Sequence, residues 1–267
     1  MSTLSATDLR AYHRDGYVIA RALYSREEID ALRTIAKADR ALAAAAHDRL
    51  DATGHNSRLT LRYELGDDVY SALVGGRRMV AGMEQVLGGP VGYFHHKMMM
   101  KEAHGGGAWE WHQDYGYWYD REQFLYPDLA SCMVAVDPCT VENGCLQVIR
   151  GSHLLGRIDH GPIGDQHGAD PQRVAAALEL LPVEHATMEP GDAVFFHSNT
   201  LHRSDANDSD YPRWVLIGCF YRHGNPAAQY AKSTTAPAVV AVDDDRLMYT
   251  ARRELAERAS EPTAHGV

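Results

Sequence analysis

The sequence has few of the features that mark membrane, nucleotide-binding or nucleic-acid-binding proteins. Its longest apolar runs fall far short of the roughly 20 residues that a membrane-spanning helix needs. It contains neither a G-x-G-x-x-G turn nor a P-loop motif, so a doubly wound nucleotide-binding fold is not expected. The net charge is −10 and no basic cluster stands out. We therefore expect neither nucleic acid nor an anionic membrane as a partner.

Cysteine is also scarce, which bears on the compartment. The chain has only four cysteines, Cys132, Cys139, Cys145 and Cys219. That number is too small for a disulfide scaffold in a chain of 267 residues. Residues 1–14 lack the apolar stretch of a secretory signal. These features predict free thiols and a cytoplasmic protein.

The first third of the chain has a helical pattern. The predicted elements are a helix over 5–14, a short strand over 17–20, a helix that starts with a capping box at 25–28 and continues through the alanine-rich segment 38–50, a loop over 52–57, and helical structure over 69–87 with an interruption at Gly75-Gly76. A further helix is predicted near residues 246–258.

From residue 91 the pattern changes to short segments rich in β-branched and aromatic residues, separated by turn residues. The predicted strands span 93–101, 109–114, 131–136, 145–149, 193–197 and 214–222. Helices followed by many strands indicate a β-barrel or sandwich with a helical flank. We expect one domain over 1–267, with the flank at about 1–90, the β-core at about 91–225 and a C-terminal extension at about 226–267.

An H-x-D motif at the end of a predicted strand suggests a metal site. His112 and Asp114 are two residues apart, so their side chains would point to one face of a strand. Two histidines and one carboxylate form the facial triad that holds non-haem Fe(II) and leaves positions open for O2 and a co-substrate. A second H-x-D, His13-Arg14-Asp15, lies in a helical segment, where residues i and i+2 diverge. We interpret it as structural.

The third ligand has two candidates. His202 is favoured, because it belongs to a His-x-Ser motif and is followed by Arg213 at the start of a strand. His197, five residues earlier, is the alternative. A guanidinium on a neighbouring strand can bind a carboxylate through two parallel hydrogen bonds.

These motifs together resemble the phytanoyl-CoA dioxygenase (PhyH-like) family over roughly residues 5–225. The resemblance rests on His112-x-Asp114, His202-x-Ser204, Arg213, the segments 142–153 and 189–192, and the opening Asp15-Gly16-Tyr17-Val18. It implies a mainly β fold with flanking helices and a double-stranded β-helix (jelly-roll, cupin-like) core.

The resemblance also implies an activity and its cofactors. An enzyme of this family uses Fe(II), 2-oxoglutarate and O2, releases succinate and CO2, and hydroxylates an unactivated C–H bond of a small molecule. His112, Asp114 and His202 would be the iron ligands and catalytic residues. Arg213, Ser204 and Trp118 would bind the co-substrate, and Trp109 would face the substrate. Related halogenases lack the carboxylate, so Asp114 favours hydroxylation.

Several assignments remain open from the sequence. Tyr115 and Tyr117 can form a substrate wall or simply pack, and Lys97 or Lys101 can contact a carboxylate or be solvated. Met98, Met99 and Met100 are expected to fill the core, and His95, His96 and His104 to make ordinary hydrogen bonds. The alternative to an oxygenase is a catalytically silent jelly-roll that binds a metal or small ligand. A zinc hydrolase is less favoured, because it gives Arg213 no role.

Overall fold

The computed structural model describes residues 3–51 and 54–260 and shows antiparallel β-structure with flanking helices. The α-helices are α1 (Ala6–Asp15), α2 (Arg26–Ala38), α3 (Arg40–Ala44), α4 (Val69–Val74), α5 (Arg77–Leu87), α6 (Asp114–Asp120), α7 (Pro171–Leu180), α8 (Lys232–Thr235) and α9 (Asp245–Ser260). The strands are β1 (Tyr17–Ala20), β2 (His47–Leu50), β3 (Asn56–Arg62), β4 (Val91–Lys101), β5 (Trp109–His112), β6 (Leu129–Ala135), β7 (Leu146–Ile149), β8 (His160–Ile163), β9 (Gln166–Ala169), β10 (Val183–Ala186), β11 (Ala193–His197), β12 (His202–Ser204) and β13 (Arg213–Arg222). A 3-10 helix spans Ser152–Leu155.

Two antiparallel sheets form the β-core. In the described part of the chain, the larger sheet has the order β1-β11-β6-β13-β4-β3-β2, and the smaller has the order β10-β7-β12-β5. Strands β8 and β9 form a separate hairpin. Apolar residues of both sheets share one buried cluster, to which Val148 of the smaller sheet and Val215 of the larger belong. The two sheets therefore face each other in a jelly-roll arrangement.

Strand β13 shows how the larger sheet separates two cores. Leu216 packs in the cluster beneath the helices, whereas its neighbours Val215 and Ile217 pack in the cluster between the sheets. Successive side chains of a strand point to opposite faces, and a strand covered on both faces is apolar throughout. The three methionines of β4 follow the same rule and fill core, as expected: Met98 and Met100 lie on the helical side and Met99 on the other.

The helical flank covers the outer face of the larger sheet. Helix α5 contacts β4, β6, β11 and β13, and helix α9 packs on α2 and α4. Helix α2 starts with the predicted capping box, in which the backbone N–H of Glu28 donates to Ser25 and that of Ser25 donates to Glu28. The predicted break at Gly75-Gly76 separates α4 from α5, and the predicted C-terminal helix is α9.

The prediction of one continuous helix through residues 38–50 is wrong. Asp39 ends α2 and caps α3, because its side chain accepts a hydrogen bond from the backbone N–H of Leu42. Helix α3 ends at Ala44, and residues 47–50 form the edge strand β2 paired with β3. Within the loop predicted at 52–57, Asn56 and Ser57 instead begin β3. Residues 52 and 53 lie outside the described residues.

No helix in the ranges 3–51 and 54–260 is both long enough and apolar enough to cross a membrane.

Candidate iron and co-substrate site

Three side chains converge at one end of the smaller sheet. His112 ends β5 and His202 begins β12, and the two are direct partners in the antiparallel pair. Their ring centroids lie 4.0 Å apart. Asp114 Oδ1 lies 4.0 Å from His112 Nε2 and 3.9 Å from His202 Nε2. All three residues are buried, and among the described residues they form the group of histidine, cysteine and acidic side chains that can hold a metal ion.

Hydrogen bonds orient the three side chains so that one potential metal-ligand atom of each faces the shared space. Nδ1 of His112 donates to the carbonyl of Glu110 at 2.7 Å, and Nδ1 of His202 donates to the carbonyl of Thr200 at 2.8 Å. A carbonyl oxygen can only accept, so these bonds place the proton on Nδ1 and leave a lone pair on Nε2. Asp114 Oδ2 accepts a hydrogen bond from the Ser131 hydroxyl at 2.7 Å, which leaves Oδ1 free.

The electrostatics of the site suit a divalent cation. Burial lowers the pKa of His112 well below its usual range, helped by the neighbouring His202, and burial also lowers the pKa of His202. Burial alone would raise the pKa of Asp114, but Lys97 and the two imidazoles outweigh it and lower that pKa to about 2. Two neutral imidazoles and one carboxylate result, which is the donor set that non-haem Fe(II) takes.

Asp114 reaches the site from a helix rather than from the predicted strand. Strand β5 ends at His112, Gln113 caps helix α6, and Asp114 is the first residue of that helix. The argument that residues i and i+2 share one face of a strand is therefore wrong at Asp114. The amide of Gln113 fixes this turn instead, since its Nε2 donates to the carbonyls of Gly156 and Asn199 and its Oε1 accepts from the backbone N–H of Ile158.

His160 supports the same turn and was not predicted from the sequence. Its Nε2 accepts a hydrogen bond from the backbone N–H of Gln113 at 3.0 Å, while its Nδ1 donates to the carbonyl of Ile158 at 2.8 Å. The ring lies against Gly116 of α6, so closely that a Cβ on Gly116 would come within 2.1 Å of it. His160 therefore holds the backbone between two of the three residues that could bind a metal.

Arg213 faces a narrow cavity that the triad also lines. The side chain is 1% exposed, and no carboxylate of residues 3–51 or 54–260 pairs with it. Its Nε has no hydrogen-bond partner, and the thiols of Cys139 and Cys145 lie beside it. Burial lowers the pKa of Arg213. A buried cation without an anion is unfavourable, and a carboxylate in this cavity would satisfy it.

Ser204 lies in the same cavity and is oriented by a buried lysine. Lys101, which is paired with Arg213 across β4 and β13, donates from Nζ to the Ser204 hydroxyl at 2.9 Å and also to the carbonyl of Asp205. Because the Ser204 oxygen accepts from Lys101, its own proton is available for a carboxylate. Burial, followed by the charge of Arg213, lowers the pKa of Lys101 well below its usual range. Lys97, in contrast, lines the cavity itself.

A second cavity of about 430 Å³, here called the outer cavity, opens above the triad. Trp109 lines both cavities, whereas Trp118 and Tyr117 line the outer cavity alone. The Tyr117 hydroxyl donates to the carbonyl of His167. Tyr115 lines neither cavity, and its hydroxyl donates to the carbonyls of Phe124 and Leu125 at 3.0 Å each. The structure thus brings Trp109, Tyr117 and Trp118 to the site, with Tyr117 and Trp118 in the outer cavity.

The competing histidines lie elsewhere. His197 accepts a hydrogen bond from the backbone N–H of Asn199, and its ring contacts Tyr12 and His153. His13, in helix α1, uses its carbonyl to accept a hydrogen bond from His153. Neither His13 nor His197 belongs to the triad group.

Comparison with known proteins identifies the family. The model of phytanoyl-CoA dioxygenase (PhyH) matches residues 12–215. The L-proline trans-4-hydroxylase of Streptomyces griseoviridis is 36% identical over 201 residues, which cover 68% of this chain and 75% of that enzyme. The ectoine dioxygenase of Halomonas elongata is 27% identical over 261 residues, covering 91% of this chain and 77% of the relative.

Solved structures agree on the fold. A crystal structure of EctD from S. alaskensis with 2-oxoglutarate and 5-hydroxyectoine has a TM-score of 0.72 at 22% identity and covers 90% of this chain and 84% of that chain. EctD from S. alaskensis with bound Fe has a TM-score of 0.74 at 22% identity, covering 91% and 88%. These matches support the jelly-roll fold predicted from the family resemblance. The chain belongs to the phytanoyl-CoA dioxygenase family and is an Fe(II)- and 2-oxoglutarate-dependent dioxygenase.

Proposed function

We propose that this dioxygenase hydroxylates an unactivated C–H bond of a small molecule, with iron held by His112, Asp114 and His202. One observation carries the proposal. The triad shares a narrow cavity with Arg213, a fully buried guanidinium that has no anionic partner among the described residues. A metal-binding triad alone suits many reactions, but a carboxylate receptor beside it suits a 2-oxo acid co-substrate.

The residues around the iron have distinct tasks in this proposal. Bound Fe(II) supplies the redox chemistry that couples decarboxylation of 2-oxoglutarate and reduction of O2 to oxidation of the substrate. Arg213 holds the distal carboxylate of 2-oxoglutarate, and the Ser204 hydroxyl donates to it. The carboxylate of Asp114 would be one of the iron ligands, whereas a halogenase leaves that position to a halide. Trp109, Tyr117 and Trp118 form the wall against which the substrate packs.

The substrate class follows from the outer cavity and from the relatives. A volume of about 430 Å³ suits a small molecule. The similar enzymes are named for L-proline and for ectoine. We therefore propose a small polar metabolite as the partner of this chain, with neither nucleic acid nor membrane involved.

The organisation and location of the chain complete the proposal. We propose a single domain over 1–267, with the flank at about 1–90, the core at about 91–225 and an extension at about 226–267. All four cysteines are free and buried, which supports a reducing, cytoplasmic setting.

Turnover with a metabolite panel tests the proposed reaction. The protein is loaded with Fe(II) and 2-oxoglutarate without oxygen, mixed with each compound, and exposed to O2. We expect one succinate for each product that has gained one oxygen atom, and no product from His202→Ala. Product that has gained chlorine would contradict hydroxylation. Iron-loaded protein that forms no succinate with any compound would favour the catalytically silent alternative.

A further inference from the structure

The outer cavity is lined by charged side chains of both signs that make few direct ion pairs with one another. Besides Asp114, the charged residues that line it are Arg49, Lys97, Arg121, Glu122 and Asp165. None of these five forms an ion pair within 3–51 or 54–260, although charges elsewhere do, as Arg78 does with Glu28. Unpaired charges of both signs around one cavity indicate a ligand that carries both signs.

Glu122 is the clearest of these groups. It follows helix α6 and is half-buried, and its Oε2 is shielded from solvent without any hydrogen-bond partner. Burial raises the pKa of Glu122. The charge of Arg121, its neighbour in sequence, acts against that rise, but the two side chains are not in ion-pair contact. A carboxylate oxygen that has lost its water and gained no hydrogen-bond partner is unfavourable, and a bound cation would satisfy it.

The surroundings of Glu122 suit a cationic nitrogen. Tyr63 and Trp118 line the same cavity, and aromatic faces attract cations. Glu122 also lies close enough to Tyr63 for its charge to add to burial in raising the pKa of that phenol. A protonated amine in this part of the cavity would therefore meet one carboxylate and two aromatic rings.

Two positively charged side chains, Arg49 and Arg121, line the same cavity as Tyr117. Burial raises the pKa of Tyr117, and the charges of Arg121 and Arg49 act against that rise. The guanidinium of Arg121 also lies 5.6 Å from the centroid of the Tyr117 ring. Arginine binds carboxylates in a planar, two-point geometry. This side of the cavity is therefore suited to a carboxylate.

We propose that the outer cavity selects a small ampholyte, an amino or imino acid, whose protonated amine pairs with Glu122 and whose carboxylate pairs with Arg49 and Arg121. The inference rests on the proposed function, because it names the substrate class of the same iron site. It assigns Glu122 as the specificity-determining residue that distinguishes an amino acid from a plain carboxylic acid. A dicarboxylic acid or an uncharged molecule would leave Glu122 without its partner.

Binding to the anaerobic protein loaded with Fe(II) and 2-oxoglutarate tests the proposal. The proteinogenic L-amino acids, L-proline among them, are titrated by calorimetry and by their effect on the Fe(II)–2-oxoglutarate charge-transfer band. The amino acid that binds most tightly is then compared with its analogue without the amine and its analogue without the carboxylate. For L-proline these are cyclopentanecarboxylate and pyrrolidine. We expect each analogue to bind at least about tenfold more weakly, as for the loss of one charge-assisted hydrogen bond.

Glu122→Gln keeps the shape of the side chain and removes its charge. We expect it to weaken binding of the amino acid by about tenfold to a hundredfold, and to leave binding of the analogue without the amine unchanged. Asp120→Asn is the matched control, since Asp120 is exposed at the end of α6 and does not line the cavity. This control variant should bind the amino acid like the wild type.

The outcomes separate this inference from the proposed function. If no amino acid binds, or if Glu122→Gln weakens both members of a pair equally, the ampholyte proposal is overturned. The oxygenase proposal survives that result as long as 2-oxoglutarate still produces the charge-transfer band. If the band itself fails to appear in iron-loaded wild-type protein, the proposed function fails, whatever Glu122 does.

Discussion

Replacing Arg213 should separate co-substrate binding from metal binding. Its guanidinium is buried and lines the same cavity as the triad, so truncation to alanine would leave the distal carboxylate of 2-oxoglutarate partly buried without a partner. Losing one member of a buried charge pair costs about 2–5 kcal/mol, or roughly thirtyfold to several thousandfold in affinity. Arg213→Lys should recover only part of this, because an ammonium cannot reproduce the planar fork.

The assay is an anaerobic titration with 2-oxoglutarate that follows the Fe(II) charge-transfer band. Affinity for Fe(II) should stay nearly constant, since Arg213 is not among the proposed iron ligands. Arg222→Ala is the control, because Arg222 ends the same strand and donates to the carbonyl of Leu87 away from the site. Equal affinity for 2-oxoglutarate in the wild type, Arg213→Ala and Arg213→Lys would refute the assignment and move attention to Lys97, which also lines the cavity.

The ligand-free protein provides an independent check on the same reasoning. If Arg213 is a receptor rather than a structural ion-pair partner, the unliganded fold carries an unpaired buried charge. Arg213→Met should then leave the free energy of unfolding unchanged or raise it by about 1–4 kcal/mol, as seen when buried charges give way to apolar side chains. Chemical denaturation without metal and 2-oxoglutarate measures this. A large loss of stability would mean that the guanidinium supports the fold itself.

Two further predictions concern the support of the site and its behaviour in acid. Gly116→Ala should push the ring of His160 away from the backbone between the proposed iron ligands His112 and Asp114, and should weaken Fe(II) binding by about tenfold. Gly161→Ala, where the added Cβ has open space, should not, and equal metal affinities in the two variants would contradict this. Burial lowers the pKa of His96 and of His197 to about 4. Below pH about 6.5 the unfolded chain therefore takes up protons that the folded chain does not. The free energy of unfolding thus decreases as the pH is lowered, by about 2 kcal/mol per histidine between pH 7 and pH 5. Denaturation at both pH values should show a smaller loss in His96→Gln and in His197→Gln, and an unchanged loss would contradict the assigned burial effect.

The sequence was most informative where the chain is regular. Arg213 begins a strand whose apolar character is visible in the sequence, and the side chains of His202 and Arg213 both line the cavity between the sheets. Their positions relative to His112 follow from the antiparallel pairing of β5 with β12 and from the facing of the two sheets. A family resemblance that fixes this topology is therefore enough to predict which of fifteen histidines meet.

Local patterns failed where tertiary contacts decide the conformation. The alanines of residues 38–50 favour a helix, yet Asp39 interrupts it, and the side chain of Asp39 also accepts a hydrogen bond from the Tyr70 hydroxyl. Strand β2 forms only because β3 offers an edge to pair with. Propensity describes the isolated segment and contains no information about such partners.

The conformation of the chain at Asp114 was also predicted wrongly from local sequence patterns. The segment 109–114 was predicted as a strand, but helix α6 begins at Asp114, so Tyr115 turns away from the cavities while Tyr117 and Trp118 line the outer one. The helical period of 3.6 residues, rather than the strand period of 2, decides which aromatic rings line the outer cavity. His160 has no signal in the sequence, because its partner Gln113 lies far along the chain.

Metal content is the most direct test of the central claim that His112, Asp114 and His202 form the iron site. Wild-type protein, His202→Ala and His197→Ala are each dialysed against Fe(II) without oxygen, and bound iron is measured per chain. We predict one iron per chain in the wild type and in His197→Ala, and loss of tight binding in His202→Ala. Iron that stays bound in His202→Ala but is lost in His197→Ala would contradict the account.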